Sequence, residues 1–92
     1  MRPKASILIA EDEAQAREAL RALLEDEGYR VLCASDGTEA SLHLAQSAVE
    51  AALLDIRMPG RDGLELLREL KLHPAPPAVL IMTAYGTSAA AI

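Results

Sequence analysis

The sequence predicts an α/β fold, a doubly wound parallel sheet with helices on its faces, and three observations carry that expectation. Short runs dense in apolar and β-branched residues alternate with stretches of helical periodicity, in the order β-α-β-α-β-α-β-α, which calls for right-handed crossovers between parallel strands. The third apolar run delivers one carboxylate, Asp55, and breaks within a few residues at Pro59-Gly60. Two other runs also end in polar side chains, at Glu11-Asp12 and Thr83, as strands do at the carboxyl rim where α/β sheets bind ligands.

The elements follow in order. Residues 5–10 read as a strand, and from Ala14 the period becomes helical, with Ala16, Leu20, Leu23 and Leu24 on one face and Arg17, Glu18, Arg21 and Glu25 on the other. Gly28 is the expected C-cap. Residues 30–34 form a short strand. Asp36 with Glu39 three residues on resembles a capping box, opening a helix to about Gln46 whose apolar face is mainly Ala40 and Leu44. Residues 51–54 are too short and too evenly apolar for an amphipathic helix and read as a strand buried on both faces, with Asp55 at its carboxyl end. Asp62 is the expected cap of a helix over 63–72 carrying Leu66, Leu67 and Leu70, and Pro74, Pro76 and Pro77 end it. Residues 78–82 form a fourth buried strand, and a further helix is expected to begin near Thr87. The leucine stripes are expected to be core. The 92 residues, half of them hydrophobic, suit one domain.

Composition narrows the partners. A net charge of −5, with nine scattered Lys and Arg residues, argues against contact with nucleic acid or an acidic membrane and favours a basic partner or a cation. No segment has the length of a membrane span or the form of a signal peptide, so the expected location is the cytoplasm. Cys33 has no second cysteine to pair with and is expected to be a small buried hydrophobe. Tyr29 and Tyr85 are too few for base stacking, and His43 and His73 are expected on the surface without ligand roles.

The chemistry lies in the strand ends. Carboxylates from Glu11, Asp12 and Asp55 on one rim repel unless a cation sits among them, and a hard, oxygen-seeking ion such as Mg²⁺ suits the set. A carboxylate beside such an ion can attack phosphorus, and Asp55 on the middle strand is the natural nucleophile, with Thr83 placed to hydrogen-bond phosphoryl oxygens. The simpler alternative makes Glu11, Asp12 and Glu13 favourable charges at a helix N-terminus and Asp55 a turn former.

Three stretches together resemble a known family: Ile-Leu-Ile-Ala-Glu-Asp-Glu at 7–13, Leu-Leu-Asp-Ile-Arg-Met-Pro-Gly-Arg-Asp-Gly at 53–63 and Met-Thr-Ala-Tyr-Gly at 82–86. They are similar to the receiver domain of two-component response regulators, most of all the nitrogen-regulation type that controls sigma-54-dependent transcription. The resemblance implies a flavodoxin-like sheet of order 2-1-3-4-5. It makes Glu11 and Asp12 the acidic pair around Mg²⁺, Asp55 the phosphoacceptor and a metal ligand, the backbone carbonyl of Arg57 a further ligand, and Thr83 the switch hydroxyl beside Ala84. It implies a sensor histidine kinase as phosphodonor, an output domain or partner acting in transcription, and a signalling role rather than an enzyme's. Family members continue through a fifth strand with a lysine, an aromatic and a last helix. These 92 residues end before them, so the expectation is a C-terminally truncated piece with order 2-1-3-4, in which the fourth strand is an exposed edge, the flank of the helix carrying Leu20, Leu23 and Leu24 is uncovered, and a homodimer hides the exposed surface. Two other functions compete. A phosphohydrolase needs a second acid where this sequence has Arg57, and a receiver-like interaction or dimerisation module would never be phosphorylated.

Overall fold

The computed structural model describes residues 5–56, 58 and 63–82. Its elements are β1 (Ser6–Ala10), α1 (Ala14–Asp26), β2 (Arg30–Ala34), α2 (Gly37–Gln46), β3 (Ala51–Asp55), α3 (Gly63–Lys71) and β4 (Ala78–Met82). The strands form one sheet in the order β2-β1-β3-β4 with every neighbouring pair parallel, the order the resemblance implied. The chain moves one way from β1 to β2 and the other way from β2 through β3 to β4. Right-handed crossovers therefore put α1 on one face and α2 and α3 on the other, with the reversal between β1 and β3.

The two faces are covered unequally. On the α2/α3 side Leu8, Ala10, Ala34, Ala52, Leu54 and Ile81 from the strands close over Ala40 and Leu44 of α2 and Leu66 and Leu70 of α3. On the α1 side no residue of the helix is fully buried, which departs from a core stripe and agrees with the uncovered flank expected of Leu20, Leu23 and Leu24 in a truncated piece. Leu20 and Leu24 are half-buried and Leu23 is 62% exposed, so the Leu20, Leu23 and Leu24 stripe is not a closed core. The reason is width: a helix about 10 Å across cannot roof four strands spaced about 4.8 Å apart. The same shortfall corrects two strand expectations. In β3 only Ala52, Leu54 and Asp55 are buried, while Ala51 and Leu53 are half-covered. In β4, at the sheet edge, only Ile81 is buried and Leu80 is 42% exposed.

Local signals set the element ends. Gly28 stands one residue beyond the Glu27 cap with φ 96°, donating to Glu25 O at 3.0 Å while Tyr29 donates to Leu24 O at 3.1 Å. That pair of bonds is the Schellman closure, which puts its glycine in the left-handed region where a Cβ is costly. Asp36 caps α2 by accepting from Glu39 N at 2.7 Å, but Glu39 reaches back to Ser35 N at 2.8 Å rather than to the cap residue itself.

Two side chains differ from their expected surroundings. His43 is half-buried, and its Nε2–H donates to the Cys33 carbonyl at 2.9 Å. β2 is the outer strand, and this carbonyl alternates with that of Ala34, which accepts from Glu11 N in the direction of β1. The imidazole thus satisfies an acceptor that the sheet leaves over. Cys33 is half-buried, and burial pushes its thiol pKa up, so it is neither a core residue nor an activated thiol. Among the described residues no helix is long and apolar enough to cross a membrane.

Candidate functional site

The site begins where β1 stops. Beyond Ala10 the Glu11 N–H extends the ladder to Ala34 O at 3.0 Å, and the chain then turns into α1 within three residues. The three acids of this turn part company. Glu13 becomes the N-cap of α1: its Oε1 accepts from Ala16 N at 2.7 Å, the structural use considered for all three. Glu13 also donates its own N–H to Glu11 Oε2 at 3.1 Å, which aims the Glu11 carboxylate away from the helix it precedes. Glu11 and Asp12 turn instead to the end of β3.

Asp55 is the last residue of β3, 3% exposed, and the sole buried charged or polar side chain recorded among the described residues. Its strand has β1 on one side and β4 on the other, with Asp55 in register with Met82 and Ile56 N donating to Met82 O at 3.2 Å. Carboxylate oxygens of Glu11, Asp12 and Asp55 all lie within 4.8 Å of one another, across the point where the strand order reverses. The residues that sequence reasoning placed on one rim are brought together there.

Their electrostatics show the strain of that gathering. The Glu11 pKa is pushed up from 4.5 to about 7, first by burial, then by hydrogen bonding to Asp55, by the Asp55 charge and by Asp12, with the Glu13 N–H acting the other way. A site that raises an acid in this manner favours either a proton or a cation. The donor set, all carboxylate oxygen with no sulfur or imidazole, fits a hard cation such as Mg²⁺.

Gly63 supplies a constraint that sequence reasoning missed. A Cβ on this first residue of α3 would stand 2.5 Å from the Asp55 carbonyl oxygen and 2.9 Å from Ile56 Cα, while the Gly63 N–H donates to Ile56 O at 3.0 Å. The helix therefore starts in contact with the backbone that carries Asp55. The signal was present as a glycine in a helix's first turn, where its low propensity calls for a packing reason.

Arg57 and Thr83 lie outside the described residues, as do Asp62, Ala84, Tyr85 and the helix start near Thr87. The described cavities are elsewhere. One of about 420 Å³, lined by Leu44, Val49, His73 and Pro76 among others, sits near the amino ends of the strands, away from the acidic cluster.

Residues 7–92 match the family described as the response regulator receiver domain. This chain belongs to that family. The receiver domain is 45% identical over 80 residues to the transcriptional regulatory protein AruR of Pseudomonas aeruginosa, covering 82% of this chain and 33% of AruR. It is 39% identical over 83 residues to the transcriptional regulatory protein ResD of Bacillus subtilis, covering 90% of this chain and 34% of ResD. The chain thus spans about one third of the length of these curated relatives. Among solved structures it resembles the response regulator TrrA of Thermotoga maritima, in complex with Mg²⁺ and BeF, at 34% identity and a TM-score of 0.81, over 94% of this chain and 72% of that one. It also resembles the receiver domain of the Francisella response regulator 1452, at 25% identity and a TM-score of 0.83, over 92% of this chain and 70% of that one. A receiver domain of a response regulator is a signalling domain.

Proposed function

We propose that this receiver domain accepts a phosphoryl group on Asp55 from the phosphohistidine of a sensor histidine kinase, with Mg²⁺ held by Glu11, Asp12, Asp55 and the backbone carbonyl of Arg57. The observation that carries the proposal is the meeting of three carboxylates within 4.8 Å at the reversal of strand order, one of them buried at a strand's end. The likeness to TrrA, whose crystals hold Mg²⁺ and BeF, supports the choice of ion. When bound, Mg²⁺ neutralises charge on the phosphoryl oxygens.

Each residue then has a part. An Asp55 carboxylate oxygen attacks phosphorus, the O–P bond forms as the N–P bond of the phosphohistidine breaks, and the released electron pair stays on the imidazole nitrogen. Burial excludes water from the Asp55 side chain and holds it in one direction. Glu11 and Asp12 bind the ion beside it, and Glu13 keeps Glu11 turned toward them. Thr83, the residue after β4, supplies the switch hydroxyl. The new charge draws it toward the phosphoryl group, and this biases the surface read by an output domain or partner that regulates transcription of the sigma-54-dependent type. The domain works in the cytoplasm as a signalling component, assisting its own phosphorylation and dephosphorylation. A second copy pairing along the β4 edge belongs to the same proposal, and a strictly monomeric protein in sedimentation would remove it.

Intact mass spectrometry after incubation with a small-molecule phosphodonor tests the central step. The expected result is a Mg²⁺-dependent gain of one phosphoryl group that is absent in Asp55→Ala. A gain that persists in Asp55→Ala, or no gain from folded protein with Mg²⁺ present, overturns the proposal.

A further inference from the structure

The arginines of α1 behave differently from one another. Arg21 follows the pattern of a solvated helix face, paired with Glu18 at i−3 and Glu25 at i+4. Arg17, read from sequence as its companion on that face, turns back over the start of the helix. Its Nη1 donates to the backbone carbonyl of Glu11 at 2.8 Å in a half-buried position. The acid one turn before it, Glu13, is occupied in capping the helix.

Arg17 completes a clamp. The Glu11 carbonyl is held by Arg17, the Glu11 carboxylate by the Glu13 N–H at 3.1 Å, and the Glu11 N–H by the Ala34 carbonyl at 3.0 Å. All three polar handles of Glu11 are fixed by different elements, in a turn whose acidic side chains repel one another and Asp55. An unclamped turn would let Glu11 and Asp12 swing apart into water.

We propose that Arg17 is a positioning residue of the Mg²⁺ site: its guanidinium locks the β1–α1 turn so that Glu11 and Asp12 face Asp55 before a cation arrives. The proposal rests on reading the acidic cluster as a Mg²⁺ site. Charge and position make opposite predictions for it. A fixed cation beside the cluster repels Mg²⁺, so its charge alone, once removed, would tighten binding. A clamp that preorganises the ligands does the reverse, and loss of such outer support costs about tenfold or more in metal affinity.

The test is a Mg²⁺ titration of the wild type, Asp12→Asn, Arg17→Met and Arg17→Lys, followed by amide chemical shifts and calorimetry, with hydrogen exchange measured in the absence of metal. Arg17→Met is expected to bind Mg²⁺ about tenfold more weakly and to speed exchange of the Glu11 amide, while amides in the later turns of α1 keep their protection. Arg17→Lys, able to donate to the same carbonyl, is expected to recover at least half of the loss on a logarithmic scale. Arg17→Met binding as tightly as the wild type, or more tightly, overturns the positioning role alone. Wild type that does not respond to Mg²⁺, or Asp12→Asn that binds like wild type, overturns the metal site and this inference with it. Should Arg17→Met fail to fold, Arg17→Gln, too short to reach the carbonyl, is judged by the same criteria.

Discussion

β3 has an acid at each end, and the two ends use it in opposite ways. Glu50, just before the strand, accepts from Ser6 N at 2.9 Å through its side chain, while its own N–H donates to Ser6 O and its carbonyl accepts from Ala78 N. Its charge lies in solvent, and its groups tie β3 to both neighbouring strands. Asp55, at the far end of the strand, is buried and shares its surroundings with two further carboxylates. The same kind of side chain closes a ladder at one end and raises a neighbour's pKa at the other. What separates the roles is convergence, since the carboxyl rim gathers acids from two strands at the point where the chain changes direction.

The strongest way to break the contrast is to disturb the backbone beneath the buried acid. Gly63→Ala places a Cβ against the Asp55 carbonyl, and overpacking of this kind is expected to destabilise the domain by about 3 kcal/mol, visible as a clear drop in thermal midpoint. An unchanged midpoint would mean that the start of α3 is free to shift and that Gly63 does not constrain the site.

Next in size is the effect of pH on the metal-free protein. Glu11 titrates near 7 in the folded state and near 4.5 when unconstrained, so the folded state holds its proton more tightly. The stability this confers is complete below about pH 4.5 and is lost as pH rises through about 7. Chemical denaturation across that range is expected to show the decline, and saturating Mg²⁺ to flatten it. Asp55→Asn should reduce the decline without abolishing it, because burial is the larger cause of the shift. A metal-free protein whose stability is level from pH 4.5 to 7 would contradict the crowding of charge at the rim.

A sharper separation compares neighbours in one turn. Glu13→Ala removes the N-cap and is expected to cost about 1 kcal/mol with Mg²⁺ affinity within a factor of about two, since the N–H that orients Glu11 is backbone and survives the change. Asp12→Asn should do the opposite, leaving the melting curve near wild type while removing most Mg²⁺ binding. The smallest effect belongs to the amino end. Glu50→Gln keeps an oxygen acceptor for Ser6 N, so its stability is expected to stay within about 0.5 kcal/mol of wild type.

Much of this was legible beforehand, for physical reasons that can be named. The bounds of β2 and β4, the end of β3 at Asp55, the turn at Gly28 and the cap at Asp36 all rest on local chemistry that a sequence displays directly. So does the meeting of Glu11, Asp12 and Asp55, because strand ends in a parallel sheet have few places to go. The misreadings share a different cause. The half-covered strand β3 and the anchoring of His43 depend on which element lies opposite, which periodicity does not report. Gly63 and Arg17 were hidden by their surroundings in the chain, one looking like part of a turn and the other like one more charge on a helix.

The bond from His43 to the Cys33 carbonyl has a consequence for how copies of this sheet can meet. An imidazole seated on the outer strand takes up one of the acceptors that an incoming chain would need, which works against further pairing along β2. A sheet left receptive along that edge could add strands from other copies without end and grow into a fibre.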